Sequence, residues 1–361
     1  MNNPVINTTK PKNGQQTQEL ETLKHIVEDA LSEAQKQGAT SCDAEISKSS
    51  GFSVSVRLGD IETIEHDRNQ SLGITVYIGQ KKGNASTSDL GAKAIKETVA
   101  AACAIARYAT EDPFSGLPDE HKIARQSADL DLYHPWNIEP QQALDIALQC
   151  ETAALEFDPA INNSEGATLS SHSGVQVLGN SLGFLEGYWS SRHSISCCVI
   201  GERDAAMQRD YWYTVARDQS ELENAQSVGI KTAKRTLRRL GSRSLSPRQC
   251  PVLFSPEVAR SLIGNFISAI SGGNLYRKNT FLLDSLGHVV FPESLQIQQQ
   301  PHLHKALGSA PFDAEGVATQ THDIVHNGVI NNYVLSSYSA RKLGMQTTGN
   351  AGGIYNLTVQ P

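Results

Sequence analysis

The feature that most constrains the fold is an order of structural elements that occurs twice along the chain. Residues 19–37 carry the apolar spacing of an amphipathic helix, and three segments of alternating polar and apolar residues separate them from a second helical pattern. The same order of helix, three strands and helix then recurs. The sequence therefore predicts an α+β fold with two helix–antiparallel meander–helix modules, the first at 19–112 and the second at 125–241.

A third region, residues 248–361, has a different pattern. Its first apolar segment, CPVLF at 250–254, predicts a strand, and Ser255 marks the start of a helix with one apolar face. The pattern then becomes β-rich, with Asn327 and Gly328 as a two-residue hairpin turn. Because the sequence stops after GNAGG without an element that would pair with these strands, we expect a truncated, incomplete β-rich C-terminal domain.

The composition excludes several classes of protein. Residues 1–18 are polar and lack the apolar segment of a signal peptide, so they predict a disordered tail. No apolar run is long enough to cross a membrane. The six cysteines show no metal-binding spacing and are typical of reduced thiols in the cytoplasm. The net charge of −7 argues against nucleic-acid binding.

One short motif suggests a serine nucleophile. Residues 179–183 match G-x-S-x-G, with Ser181 at its centre. A nucleophile elbow requires a strand, a sharp turn and then a helix, whereas this motif lies between two predicted strands. A hairpin turn accounts for the residues, and a hydrolase that uses Ser181 is kept as a minor hypothesis.

Two histidine pairs are candidate zinc ligands. His322 and His326 are four residues apart, but they lie in a predicted strand, where four residues span about 13 Å. That separation is too large for two ligands of one zinc ion. His302 and His304 have no evident third ligand. The residues alone therefore indicate no metal site.

Several longer motifs resemble the TldD/PmbA family of two-chain metallopeptidases, and in particular its PmbA (TldE) branch. They include GFSVSVRLGDIETIEHDRNQSLGITVY, GNASTSDL, DLDLYHPWNI, GGNLYRKNTFLLDSLG, PFDAEGV and SSYSARKLGMQTTGNAGG. The resemblance extends from about Glu19 to Gly353. Motifs of this length in this order are far more specific than the short patterns above.

The resemblance implies where the chemistry of such a complex lies. In this family the TldD chain carries H-E-x-x-x-H in the helix after the first strand of its C-terminal domain, and these residues supply zinc ligands and a general base. The corresponding positions here are Gly264, Asn265 and Ala269. Gly264 and Ala269 have no ligand atom, and Asn265 cannot accept a proton at neutral pH. The resemblance thus implies that this chain has no catalytic, cofactor-binding or metal-binding residues, and that zinc lies on the partner chain. Close helix packing is an alternative role for Gly264.

The expected function follows from this resemblance. It implies a subunit of a cytoplasmic two-chain zinc metalloprotease that pairs with a TldD-like catalytic subunit and binds an extended peptide substrate. The family acts in peptide maturation or in proteolysis of unfolded peptides. Whether this chain alone is an enzyme stays open. A non-enzymatic homodimeric peptide-binding module is the alternative.

Overall fold

The computed structural model describes residues 13–125 and 127–360. In the two modules the elements, in chain order, are α1 (Asn13–Lys36), β1 (Ser41–Arg57), β2 (Asp60–Ile78), β3 (Lys81–Thr87), α2 (Ala92–Tyr108), α3 (Pro140–Leu155), β4 (Ile161–Asn180), β5 (Leu185–Arg203), β6 (Ala206–Ala216) and α4 (Ala225–Arg239). This order confirms the α+β class and both helix–meander–helix patterns.

The two meanders form one continuous six-stranded sheet with the order β3-β2-β1-β4-β5-β6. Every neighbouring pair is antiparallel. The central pair is β1 with β4, in register from Asp43 opposite Asn180 to Val56 opposite Ala167. The strands β1, β2, β4 and β5 have 17 to 20 residues, which is long enough to extend under the helices of both modules. The modules are therefore halves of a single sheet.

The four helices pack on one face of this sheet, in two separate cores. Side chains alternate between faces along a strand, and in β1 the even-numbered apolar residues are buried at both ends of the strand. Ala44 and Ile46 belong to the core beneath α1 and α2, whereas Val54 and Val56 belong to the core beneath α3 and α4. Between the cores, Lys48 Nζ contacts Glu19 Oε1 at 2.6 Å. The opposite face is left for the rest of the chain.

The first helix begins earlier than predicted. α1 starts at Asn13, so the prediction of a disordered tail is wrong for residues 13–18, while residues 1–12 lie outside the described part of the chain. The added residues 13–18, NGQQTQ, include three glutamines, which tolerate a helix well. They extend a helix that Leu20 and Leu23 anchor in the first core.

The C-terminal region contains short elements joined by long loops. Their bounds are α5 (Pro256–Ala269), α6 (Gly272–Tyr276), β7 (Gln296–Gln299), β8 (His322–His326), β9 (Val329–Ile330), α7 (Ser337–Lys342) and β10 (Leu357–Gln360). The strands form an antiparallel sheet with the order β10-β7-β8-β9. The predicted hairpin is present: Asn327 and Gly328 have positive φ and join β8 to β9.

The segment CPVLF does not form the predicted strand. Residues 250–255 lie in no helix or strand, and the side chain of Leu253 is 98% exposed. β propensity alone does not make a strand, because the backbone groups require a neighbouring strand as partner. In the described parts of the chain, no strand pairs with this segment.

The C-terminal region packs on the sheet face opposite the helices. Phe312 contacts Phe184 and Tyr188, with ring centroids 5.1 and 5.6 Å apart, and Leu178 completes this apolar contact. Among the helices of the described segments, none combines the length and apolar content that crossing a bilayer requires. The resulting order of layers is helices, six-stranded sheet and C-terminal region.

Candidate functional site

The helix α5 is the element on which the family resemblance places the metal motif. Its N-terminal half is tied to the second module by two polar contacts, from Arg235 Nη1 to Glu257 Oε1 at 3.0 Å and from Arg260 Nη1 to the Tyr213 hydroxyl at 3.1 Å. Its C-terminal half is anchored by Phe266, Ile267, Ala269 and Ile270 in an apolar core within the C-terminal region. The helix is thus held at both ends, and its middle faces outward.

The three positions that correspond to the metal motif cannot hold a zinc ion. Gly264 and Asn265 are exposed, and Ala269 is buried in the core. Glycine and alanine offer no side-chain donor, and a single amide oxygen is not a zinc site. Across residues 13–125 and 127–360, no group of three or more His, Cys, Asp or Glu side chains could hold a metal ion. The residues present therefore do not fit the family's zinc.

The structure also contradicts a role of Gly264 in close helix packing. A Cβ built at this position meets nothing within 4 Å, so no neighbouring helix requires a glycine there. By contrast, a Cβ built at Gly229 in α4 would lie 2.1 Å from the Cys150 carbonyl oxygen in α3. Close helix packing requires a glycine in α4 and not in α5.

The histidine pairs are not brought together. His322 and His326 lie at the two ends of β8, where His322 Nδ1 contacts the Gln320 carbonyl and His326 Nδ1 contacts Asp323. His302 Nε2 lies 2.9 Å from Thr319 Oγ1. The contacts of His322 and His326 are local, whereas that of His302 reaches Thr319, 17 positions further along the chain, and none of these three histidines shares a partner with another.

Ser181 lies in the turn between β4 and β5, so a helix does not follow it. Its hydroxyl accepts a hydrogen bond from the Cys42 backbone N–H at 3.0 Å, and its own N–H donates to the Cys42 carbonyl. No histidine contacts it in the described structure. These bonds join the hairpin turn to the start of β1, which accounts for the serine without catalysis.

A cavity that the sequence did not reveal lies between the sheet and the C-terminal region. It has a volume of about 200 Å³. The sheet contributes Glu45, Leu178 and Tyr188, and the C-terminal region contributes Phe312 and Asp313; Gln176, Ala351, Gly352 and Tyr355 complete most of the wall. We call it the interdomain cavity. Its residues come from segments up to 310 positions apart, so no local pattern could have indicated it.

Burial perturbs the acidic groups of this cavity. Asp313 is buried, and desolvation together with the nearby Glu315 raises its pKa to about 7. Its Oδ1 accepts the N–H groups of Glu315 and Val317, and its Oδ2 accepts that of Ala351. Desolvation also raises the pKa of Glu45, although its side chain remains exposed. Asp313 thus holds the wall together, whereas Glu45 is free to meet a ligand.

Comparison with known proteins identifies the class of protein to which this chain belongs. Residues 42–106, 133–240 and 247–361 match models described as PmbA/TldA metallopeptidase domain 1, central domain and C-terminal domain. These three ranges cover most of the chain and follow one another in order. The chain belongs to the PmbA/TldA metallopeptidase family, which is the TldD/PmbA family that the long motifs indicated.

Curated relatives and solved structures agree with this assignment. The chain is 47% identical to the metalloprotease PmbA of Escherichia coli O157:H7, over 94% of this chain and 76% of that protein. It is 49% identical to the PmbA homologue of Haemophilus influenzae, over 94% and 75% respectively. The alignments therefore span about three quarters of these relatives.

The fold is also found in solved structures. A Bacteroides thetaiotaomicron protein described as a candidate modulator of DNA gyrase has a TM-score of 0.89 and 26% identity, over 94% of this chain and 77% of that one. TldE from Thermococcus kodakarensis has a TM-score of 0.76 and 17% identity, over 93% and 77%. At that identity the second likeness concerns the fold alone.

Proposed function

We propose that this chain is the PmbA/TldE-like subunit of a two-chain zinc metallopeptidase whose metal lies on a TldD-like partner. The observation that carries the proposal is the middle of α5. There, a helix of the family fold presents Gly264, Asn265 and Ala269 at the positions of two zinc ligands and a general base. The chain belongs to the family, and its residues at these three positions do not provide the zinc ligands and the base.

A surface suited to a partner chain lies beside these positions. The apolar side chains of the segment before α5 and of its outer face are exposed, and we call them the α5 apolar surface: Val252, Leu253, Phe254, Val258 and Leu262. Exposed apolar patches of this kind are typical of interaction sites. A catalytic chain that binds here would bring its own metal helix close to α5.

The substrate proposed for the complex is an extended peptide, bound in part by strand addition to an exposed sheet edge. In this mode the main-chain hydrogen bonds provide affinity and the neighbouring pockets select side chains. The physiological context proposed is peptide maturation or proteolysis of unfolded peptides in the cytoplasm. This context is carried over from the family resemblance.

The test is reconstitution with a TldD-like chain from the same organism. Each chain alone and the two together are assayed for cleavage of an unfolded peptide, and zinc is measured on each purified chain. We expect activity only from the mixture, with about one zinc per TldD-like chain and none on this chain. Zinc bound stoichiometrically to this chain, together with activity in the absence of the partner, would contradict the proposal.

Size-exclusion chromatography separates the proposal from the alternative of a homodimeric peptide-binding module. The partner-subunit proposal predicts a shift to a heteromeric species when the TldD-like chain is added. Replacing Leu253 with Ser should weaken that shift, while Leu245→Ser, at an exposed position in the preceding linker, is the matched control. A stable homodimer whose elution does not change when the TldD-like chain is added would support the alternative.

A further inference from the structure

The interdomain cavity holds polar groups that the protein itself does not satisfy. Within residues 13–125 and 127–360, no hydrogen bond or ion pair involves the Glu45 carboxylate or the hydroxyls of Tyr188 and Tyr355. The Glu45 side chain is exposed, and those of Tyr188 and Tyr355 are half-buried, so a ligand can reach all three. Three polar groups without a protein partner on the wall of one cavity are therefore available to a ligand.

The charge of the cavity wall indicates the sign of the charge that a ligand would carry. Glu45 and Asp313 are its acidic residues, and none of the residues that line the cavity in the described structure is a lysine or an arginine. The cation that acts on Tyr188 from nearby is Arg217. Its guanidinium already donates to the carbonyls of Ser191, Ala306 and Leu307. The free carboxylate of Glu45 therefore has no cation of its own.

The aromatic residues favour the same kind of ligand. The rings of Tyr188 and Phe312 pack edge to face, with centroids 5.6 Å apart, and Tyr355 lies on the same wall. Aromatic faces attract cations within about 6 Å of the ring centroid, and the attraction grows when water is excluded. A carboxylate beside several rings is an environment for a cation carried on an apolar stem.

We propose that the interdomain cavity binds a primary alkylammonium group. The apolar wall of Leu178 and Phe312 would contact the alkyl stem, and the ammonium would donate hydrogen bonds to the Glu45 carboxylate and to the tyrosine hydroxyls. The volume of about 200 Å³ suits one slender side chain and not a folded ligand. The same chemistry could come from the lysine side chain of a peptide or from a free amine. The peptide source rests on the proposed function, whereas the binding of the ammonium does not.

Titration calorimetry on the full chain, without a partner and without turnover, tests the inference. The probes are n-butylammonium, a terminally blocked Ala-Lys-Ala peptide, and the same peptide with norleucine in place of lysine. We expect the lysine peptide to bind about tenfold or more tightly than the norleucine peptide, because only lysine carries the charge. The proposal would be overturned if both peptides bound with equal affinity, or if none of the three probes bound.

Matched variants separate the cavity from general electrostatics. Glu45→Gln keeps the shape and removes the charge from a side chain that has no partner to lose, so the fold should be retained. It should weaken binding of the lysine peptide about tenfold. Glu65→Gln changes an exposed glutamate on the adjacent strand β2 and should leave binding unchanged. Equal losses in the two variants would contradict the assignment.

The two ligand sources give different results. Binding of the lysine peptide supports a subsite for a basic side chain of a peptide. Binding of butylammonium alone, lost in Glu45→Gln, supports the cavity and assigns it to a free amine. Since neither readout requires zinc or a TldD-like chain, a failed reconstitution and a failed cavity proposal are distinguishable.

Discussion

At the scale of single residues, Asp313 shows how one buried carboxylate holds two loops together although its surroundings disfavour its charge. It accepts three backbone N–H groups from the 313–317 turn and from Ala351, which ties PFDAEGV to GNAGG. Burial and the charge of Glu315 oppose its ionisation and raise its pKa from 3.8 to about 7. PFDAEGV and GNAGG are therefore parts of one loop structure, which their positions in the sequence do not reveal.

Glu315→Gln should make the stability of the protein less dependent on pH. The pKa of Asp313 in the folded state lies above its ordinary value, so the folded chain binds more protons than the unfolded chain between about pH 4 and pH 7. This contribution to stability is lost as the pH rises through 7. Removing the charge of Glu315 lowers that pKa. Glutamine keeps an oxygen that can accept from the Ser337 N–H. Urea unfolding should show a smaller loss of stability from pH 5 to pH 8.

Asp43 should also make the protein less stable as the pH rises. Burial raises its pKa to about 6, and Glu315 adds to the shift. The control for both groups is Glu62→Gln, at an exposed position in β2, which should leave the pH dependence as it is in the unmodified chain. An unchanged pH dependence in Glu315→Gln would argue against coupling of these charges.

At the scale of elements, α5 shows which parts of the fold can be predicted from local sequence. The helix and its start at Pro256 follow from residue types and spacing, and both are present. The preceding strand is absent, because a strand requires a partner that local sequence does not specify. The interdomain cavity was not predictable for a stronger reason: Glu45 and Asp313 meet only after the sheet and the C-terminal region have packed.

Gly264→Ala should stabilise the protein by about 1 kcal/mol, because alanine is the better helix former and its methyl group meets open space. Gly229→Ala gains the same helix propensity but should destabilise by about 1–3 kcal/mol, because its Cβ would clash with the Cys150 carbonyl. Urea unfolding of the two variants measures the difference. A loss of stability in Gly264→Ala would restore a packing role for that glycine.

A second element-scale feature is the contact of α7 with the linker between the modules. Arg341 donates to the carbonyls of Phe114 and Gly116 at 3.2 and 3.1 Å, and also to that of Leu117. The planar guanidinium reaches three acceptors at once, which a lysine ammonium cannot reproduce in this geometry. The linker is therefore part of the packed structure and not a flexible tether.

Arg341→Lys should lower the free energy of unfolding by about 2 kcal/mol, because hydrogen bonds from a charged donor are lost. The linker near residues 113–119 should also become more susceptible to limited proteolysis. Arg203→Lys, at an exposed position at the end of β5, is the matched control. If both variants are cleaved at the same rate, the contact does not restrain the linker.

At the scale of the whole molecule, a small apolar contact joins the C-terminal region to the sheet. Phe312 contacts Phe184 and Tyr188, and Leu178 and Ala124 complete the cluster. The helices on the other face have their own two cores. The apolar part of the coupling between the layers thus depends on few residues, beside the polar contacts that Arg217 and Arg341 make.

Phe312→Ala should therefore lower stability by about 3–5 kcal/mol and separate the unfolding of the C-terminal region from that of the sheet. Calorimetry should show two transitions in place of one, and amide exchange should rise first in residues 256–360. Phe281→Ala removes an equal side chain that is 87% exposed and should have little effect. A single unshifted transition in Phe312→Ala would show that other contacts couple the layers.

The central pairing of β1 with β4 has a consequence for synthesis of the chain. Val175 and Val177, near the end of β4, belong to the same core as α1 and α2, although they lie about 130 positions after β1 begins. As the polypeptide leaves the ribosome, its first helices and strands cannot complete their core until β4 has emerged. Non-local strand pairing of this kind is slow and leaves apolar surface open in the meantime. We therefore expect a nascent chain of the first 112 residues to expose apolar surface that chaperones bind, and the first module to fold together with the second.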